Sequence, residues 1–479
     1  MFNGLEGGKN FTLHLLRNNV EVASGPIILT NLPIVEIRVL NDNNTTYVQG
    51  TLRINNPLDA SSNKLVLAKF RHRGATALTY PKISFNIKLI QEDGSDLDST
   101  ILGIRPENSW ILDAMAIDRI RMRNRVCFDI WNSYSTTPDT TNYNNRNGTK
   151  GQFVEVLING SYNGLYCISD KIDRKLLDLK KVKYNEDSTA ITVRGVLYKS
   201  NSWDNTSLNI SNMVESSMDT TVWNNWELEY PDDYPSSEAW MPLKELYELC
   251  SDNTAFLNGF STSFFEDNVV DYHLFILALN VEDNGNKNEF LSTHNITKSK
   301  QFLITPWDLD TSLGGYYDGR YYDGTYATTT VADHRINQNN PFLMAWTTNI
   351  DNYRNLMANR WKRLRNRALS QDSINAELEK YASLFLQCGA WQREVERWPT
   401  GCPIVTDLNK EIKYIEAWYA NRLVGMNDYL NPYITDIQSA PNQVKDSETI
   451  YNLNGTLVNG HNPPSKGIYI VNGKKVYIR

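Results

Sequence analysis

The chain has 479 residues, of which 41% are hydrophobic and 22% charged, and a formal net charge of −7. It is long enough to bury a large core and ordinary in composition for a globular protein. The acidic balance with scattered Lys and Arg excludes nucleic acid as the main partner, and with no apolar run of about 18 residues there is no transmembrane helix.

The stretch RWKRLRNR at 360–367 carries Trp361 and Leu364 at helical spacing, and reads as a solvated helix face. The five cysteines are widely spaced without C-x-x-C and read as buried core residues, with Cys388–Cys402 the one pair weighed for a disulfide. The six histidines are isolated, which argues against a histidine metal site. Glu6-Gly7-Gly8-Lys9 is no P-loop, because Asn10 stands where Ser or Thr is needed and no strand precedes it. Met1-Phe2-Asn3 opens no basic and apolar leader pattern, so no signal peptide is read here.

In chain order, FTLHLL, IVEIRVL, YVQGTLRI and KLVLAKF within 11–70 alternate as strands, separated by turn clusters such as Asn41-Asp42-Asn43-Asn44. A turn at Arg73-Gly74 leads to a strand from Ile83 to Leu89. Ser109 to Tyr134 reads as helical, with Trp110, Leu112, Ile117, Ile120 and Val126 apolar between arginines. FVEVLI and Gly164 to Ser169 form a hairpin about Asn159-Gly160. Arg174 to Lys183 is expected as a short helix, and 200–237 as a long irregular insertion. Helices are expected at 240–250, 264–280, 352–369, 372–386 and 408–430, with a Gly- and Tyr-rich loop at 316–326. Past Pro441 a polar linker leads to a tail whose Asn472-Gly473 turn predicts a closing β-hairpin, capping the main domain or pairing with the N-terminal strands.

The most informative stretch runs from Asp283 to Asp310: DNGNKN at 283–288, the apolar run Phe302-Leu303-Ile304, then Pro306-Trp307-Asp308-Leu309-Asp310. An acid and an amide five residues apart, followed by a strand ending in acids, suit metal-dependent phosphoryl transfer. One carboxylate orients a hydroxyl while an amide and a second carboxylate hold metal on nucleotide phosphates. Locally, Asp and Asn at a helix end also serve as caps and turns. Paired carboxylates among 12 Trp and 26 Tyr leave two other readings open. One is a glycoside hydrolase using Glu282 or Asp283 with Asp308; the other is a surface carbohydrate-binding or adhesion protein.

LPIVEI at 32–37, RGAT at 73–76, PKISFNIKL at 81–89, DRIRMRN at 118–124, INGSYNGLY at 158–166 and PWDLDTSLGG at 306–315 together resemble the CotH family of atypical kinases, over roughly residues 31–430. The resemblance implies an α+β, protein-kinase-like two-lobed fold, with a β-rich N-lobe about 31–200 and a helical C-lobe about 238–435. Residues 1–30 would be an N-terminal strand extension, and 436–479 a linker and C-terminal β-hairpin. It implies ATP with Mg²⁺ or Mn²⁺, and transfer to a protein hydroxyl on an acceptor the sequence does not name. Asp283 matches the catalytic acid; Asn288, Asp308 and Asp310 match the metal side chains. Arg73 and Lys82, or Lys88 in its place, would meet the phosphates, and Phe302 would stack on adenine.

Departures stand at Ala75-Thr76-Ala77, where hydroxyls are usual, at Lys82-Ile83 in place of a double lysine, at Asp170 in place of Glu, and at Val281-Glu282 in place of His-Arg. They keep a nucleotide-binding pseudokinase as an alternative. The tail GIYIVNGKKVYIR resembles C-terminal hairpins of exported bacterial proteins, so a periplasmic or cell-surface location is expected.

Overall fold

The computed structural model describes residues 11–41, 46–138, 147–185, 191–201, 208, 213, 216–281, 283–285, 287–316, 318–331, 340–434, 450–452, 467–471 and 474–478. Asp42, Asn43 and Asn44 of the first turn cluster, most of 202–215 within the expected 200–237 insertion, Glu282, the linker past Pro441 and the Asn472-Gly473 turn lie outside the described residues. The chain divides into two compact units, Met1–Tyr433 and Ile434–Arg479.

The first unit opens with a hairpin, β1 (Phe11–Arg17) and β2 (Val20–Ile27), whose strands pair only with each other among the described residues. Then follow β3 (Ile34–Val39), β4 (Val48–Asn55), β5 (Lys64–Arg73), β6 (Ser84–Ile90), the short pair β7 (Ser99–Ile101) and β8 (Ile104–Glu107), and β9 (Ser109–Asp113). After α1 (Arg123–Tyr134) come β10 (Gly151–Ile158) and β11 (Ser161–Ser169). The strands close into a barrel in the order β10-β11-β9-β6-β5-β4-β3, sealed by a parallel pairing of β3 with β10.

Side chains alternate across a strand, and here one set fills the barrel. Val35 and Ile37, Leu52 and Ile54, Phe85, Ile87 and Leu89, Trp110 and Leu112, Val154 and Val156, and Tyr166 and Ile168 all meet in one buried cluster. Asn159 and Gly160 take φ of 50° and 81°, the double left-handed turn that a two-residue hairpin needs. The outward set from β5, β6, β9 and β11 is left to face something other than this core.

Residues 109–134 do not form one helix. Ser109–Asp113 is a strand because Trp110 and Leu112 complete the barrel, and α1 starts only at Arg123. Asp118 marks the break: its Oδ2 accepts the amides of Met122 and Arg123, each at 2.7 Å, which satisfies the helix start.

The second half of the unit begins with strands. They are β12 (Lys183–Tyr184), β13 (Ile191–Thr192), β14 (Val196–Ser200), β15 (Val222–Trp223) and β16 (Trp226–Tyr230). Helices α2 (Ser237–Cys250), α3 (Asn253–Ser263) and α4 (Glu266–Leu279) lead to β17 (Glu289–Thr293) and β18 (Leu303–Pro306). Strands β12 and β13 pair with each other, and the other five build an antiparallel sheet in the order β15-β16-β14-β17-β18. Arg174–Lys183 forms turns rather than the expected helix, and Leu176, Leu177 and Leu179 pack against Leu197 and Phe290.

Six further helices complete the unit: α5 (Gly324–Thr329), α6 (Pro341–Thr348), α7 (Tyr353–Leu364), α8 (Gln371–Gln387), α9 (Ala390–Arg397) and α10 (Leu408–Leu430). Helix α5 begins within the Tyr-rich segment expected as loop and runs past its end, and α9 has no counterpart in the sequence expectations. The five cysteines are free and buried, so Cys388 and Cys402 are not joined. Among the described residues no helix is long and apolar enough to cross a membrane.

The second unit holds one antiparallel sheet of β19 (Ile450–Asn452), β20 (Gly467–Val471) and β21 (Lys474–Ile478). Among the described residues the expected hairpin is extended by a third strand of the same unit. The whole is a mixed α+β chain whose β-rich half is a closed barrel.

Candidate active site

A cleft of about 1090 Å³ lies against the outer face of the barrel. Arg71 and Arg73 from β5, Ser84 and Asn86 from β6, and Asp113 from β9 line it on that side. Cross-strand pairing explains the grouping, since Arg73 sits opposite Ser84 and Arg71 opposite Asn86. Gly74–Leu78, which runs into a 3-10 turn at Thr76–Thr79, lines the cleft as well. The facing wall carries Lys199 of β14, Glu227 and Glu229 of β16, and Phe290 of β17.

Two loops form the floor. The first, Asp283–Asn288, follows α4, which ends at Asn280 in a left-handed conformation. The second is Trp307–Asp310, beyond β18. Asn284 stitches them: its Nδ2 donates to the Trp307 carbonyl at 2.9 Å, while its Oδ1 accepts the Tyr272 hydroxyl at 3.1 Å. The Trp307 amide donates back to the Asn288 carbonyl at 2.9 Å. Asn288 and Asp308 have φ of 57° and 56°, a left-handed region that Asn and Asp tolerate better than most residues. Such backbone clusters where geometry is over-determined by its surroundings.

Asn124 at the start of α1 ties in a third element. Its Nδ2 donates to Asp113 Oδ2 at 3.0 Å, and its Oδ1 accepts the Leu309 amide at 3.1 Å. Asp113, Asp283, Asp308 and Asp310 thus reach one region of the cleft. Lys287 Nζ lies 3.0 Å from Asp283 Oδ2, and the Arg73 guanidinium is 5.6 Å from the Trp307 ring centroid.

The carboxylates repel one another. Crowding by protein, and then the Asp283 and Asp113 charges, raise Asp308 above the ordinary carboxylate range, against Arg73 and Lys287. Burial and then Asp308, Asp113, Asp118 and Asp283 push Asp310 well above that range. Protein surrounds Asp308 closely, yet its surface stays open to cleft water, and Asp310 is half-buried. The repulsion is therefore screened in part. Neither carboxylate closes a hydrogen bond with another described residue.

Of the residues the sequence singled out, Asp283, Asn288, Asp308, Asp310 and Arg73 line this cleft, whereas Lys82, Lys88 and Phe302 do not. Lys82 lies two residues before β6 and turns into the interior, fully buried, where its Nζ donates to Glu394 Oε1 at 2.7 Å and to the Leu165 carbonyl. Arg121 Nε meets the same carboxylate oxygen at 2.8 Å. Burial first, and Arg121 after it, bring Lys82 down to about 8, while the two cations together hold Glu394 below its usual value. The Glu394 shift follows from two cations sharing one ionised carboxylate, whereas Lys82 is lowered by burial in spite of that carboxylate.

Lys88 does share the outer face with Ser84 and Asn86, but it is exposed beyond the cleft, 5.3 Å from the Tyr47 ring. Phe302 is core: its backbone is pinned to Ser263 and Phe265, and its ring packs near Tyr198 and Phe264. The aromatic residues that line the cleft include Phe290 and Trp307, set edge to face at 5.6 Å, with Tyr80 and Phe128.

The sequence reading missed Asp113, Asn284, Lys287, Lys171 and Glu229. A signal existed for Asp113, since it ends the apolar run SWILD much as Asp308 follows LITPW. Reading that run as helix hid it.

The donors on the floor are all oxygens. Among the described residues no three acidic, histidine or cysteine side chains converge closely enough to hold a metal by themselves. Mg²⁺ is usually held by one or two carboxylates plus substrate phosphates rather than by an all-protein cage. An incomplete set of repelling carboxylates fits an ion shared with a ligand.

No curated protein sequence matches the chain. The family model described as CotH kinase protein matches residues 70–426, which span Arg71 and Arg73 at the end of β5, both floor loops and α10 through Met426. The chain belongs to the CotH kinase family.

Proposed function

We propose that the protein is an atypical kinase that transfers the γ-phosphate of ATP to a protein hydroxyl, with Mg²⁺ or Mn²⁺. The observation that supports this most is the stitching of 283–288 to 307–310 through Asn284 and the Trp307 amide, beneath Arg73. In this reading the barrel is the N-terminal lobe of a two-lobed kinase-like arrangement. Asp283 accepts the acceptor hydroxyl's hydrogen bond and orients it for attack, since in phosphoryl transfer positioning and charge stabilisation do most of the work. Lys287, already paired with Asp283, and Arg73 bring positive charge to the phosphate oxygens. Asn288, Asp308 and Asp310 would hold the metal, which neutralises phosphate charge when bound. Asp113 and Asn124 orient that group from the barrel side. The acceptor is unnamed, and a periplasmic or surface location belongs to the same proposal.

The test is calorimetry of ATP with and without Mg²⁺ or Mn²⁺, joined to radiolabel transfer from γ-labelled ATP. Metal-dependent binding and transfer are expected from the wild type. Asp283→Ala should bind ATP within about threefold of wild type and lose transfer by about 10²–10⁴-fold. Binding without transfer in the wild type would make the protein a pseudokinase, and absence of metal-dependent binding would sink the assignment.

A further inference from the structure

The five-stranded sheet acts as a ruler along the cleft. Trp307 and Asp308 follow β18, and Asn288 precedes β17; beyond β17 lie β14 and then β16. Lys199 of β14 sits opposite both Phe290 of β17 and Glu227 of β16, so the three share the cleft face. Glu229, two residues along β16, shares it too, while Leu228 between them points into the core. Two inter-strand steps of about 4.8 Å each separate β17 from β16. An extended nucleoside triphosphate with its phosphates at the acid floor would bring its base to that end.

Two charges stand there unmatched. Glu227 is satisfied, since Asn201 Nδ2 donates to its Oε2 at 3.0 Å and Lys199 lies 3.8 Å away. Glu229 and Lys171 feel each other's charge, yet among the described residues neither closes a hydrogen bond or ion pair through its side chain. Crowding by protein raises the Glu229 carboxyl and lowers the Lys171 ammonium, and both residues are half-buried in the cleft wall. Lys171 is also held in place. Arg105 bonds its carbonyl at 3.1 Å and grips Asp170 at 3.0 Å and Asp173 at 2.8 Å on either side.

Resting on the nucleotide reading above, we propose that Glu229 and Lys171 recognise the base, and that the cleft takes guanine nucleotides as readily as adenine ones. A carboxylate only accepts hydrogen bonds and an ammonium only donates. Guanine sets two N–H donor groups beside the O6 acceptor on one edge, which matches the pair. Adenine offers its N6 donor beside a ring acceptor, which the pair also meets, with one hydrogen bond fewer. Phe290 supplies an apolar surface beneath either base.

The experiment is calorimetry with Mg²⁺ and non-hydrolysable ATP and GTP analogues, with Mg²⁺-tripolyphosphate as a base-free probe. Wild type should bind the GTP analogue as tightly as the ATP analogue or up to about tenfold more tightly, and tripolyphosphate at least tenfold more weakly than either. Glu229→Gln should weaken GTP-analogue binding by about tenfold and leave ATP-analogue binding within threefold. Glu227→Gln, on the same strand, should leave the ratio of the two unchanged. A thermal melt matching wild type checks that each variant folds. Binding of the ATP analogue alone overturns the proposal, as does a GTP/ATP ratio indifferent to Glu229→Gln. Tripolyphosphate binding as tight as ATP overturns it while leaving the metal–phosphate site standing, and binding of none of the three refutes both readings.

Discussion

At the scale of single residues, the floor carboxylates make the clearest commitments. Asp308 and Asp310 are held above the usual range in the folded state, so each adds stability below the unfolded value of about 3.9 and loses it as pH climbs through the folded value. Without divalent metal, Asp310→Asn should therefore melt higher than wild type at pH 7, with the difference vanishing near pH 4. A lower melting temperature at pH 7 would contradict the repulsion. Asp308→Asn should weaken Mg²⁺-dependent ATP binding by about tenfold or more, and calorimetry at saturating metal reads it directly. Glu289 is a separate case, a carboxyl pushed up to about 7 by burial, with the Tyr272 hydroxyl pulling the other way. Its contribution is full below about 4.5 and is lost as pH rises through about 7, at a cost on the order of 3 kcal/mol. Glu289→Gln should flatten wild type's decline in unfolding free energy between pH 5 and pH 8, as measured by urea titration. Residue identity alone revealed part of this site. Asp283, Asn288, Asp308 and Asp310 were legible because their spacing is local, whereas the burial of Lys82 depends on Glu394, 312 residues away.

At the scale of elements, α9 shows why a strongly built helix can escape a sequence reading. Its Arg393 and Glu394 face inward, so a search for apolar periodicity finds polar residues where it expects a core. Arg393 grips Glu155 of β10 with two hydrogen bonds at 2.7 and 2.8 Å. Glu394 takes Lys82, Arg121 and the Leu165 amide, the last at 2.8 Å. Removing the carboxylate strands two buried cations, so Glu394→Gln should cost about 3–5 kcal/mol. Lys82→Met should cost less, because Arg121 still answers Glu394; equal losses in chemical denaturation would show that the charges are not shared. Gly164 belongs to the same contact. With φ of 105° and Glu394 Oε2 only 2.3 Å from where a Cβ would sit, it leaves no room for alanine. The barrel strands, by contrast, were legible, because alternating Val, Ile, Leu and Phe mark one inward face. The run 109–113 was not, since five residues are too few to separate a strand from the first turns of a helix.

At the scale of the whole molecule, the order of strands before helices was legible, but barrel closure was not. Closure needs β3 to find β10 across more than a hundred residues, and nothing local in either strand announces a parallel partner. The barrel also uses both of its surfaces, with the inner one as core and part of the outer one as cleft wall. That explains the polar residues at alternate positions of β5 and β6. The seam has a consequence for motion. It holds four residue pairs, from Glu155 with Ile34 to Ile158 with Ile37, against seven between β5 and β6. Parallel pairing is slightly weaker per residue, and the flanking bonds from Glu155 to the Pro33 carbonyl and from Asn159 to the Ile37 carbonyl are few. Deuterium should therefore enter the amides of β3 and β10 at the seam through local opening, before it reaches those of β6, which is flanked by β5 and β9. Mass-spectrometric exchange that protects the seam longer than β6 would show that the barrel opens elsewhere.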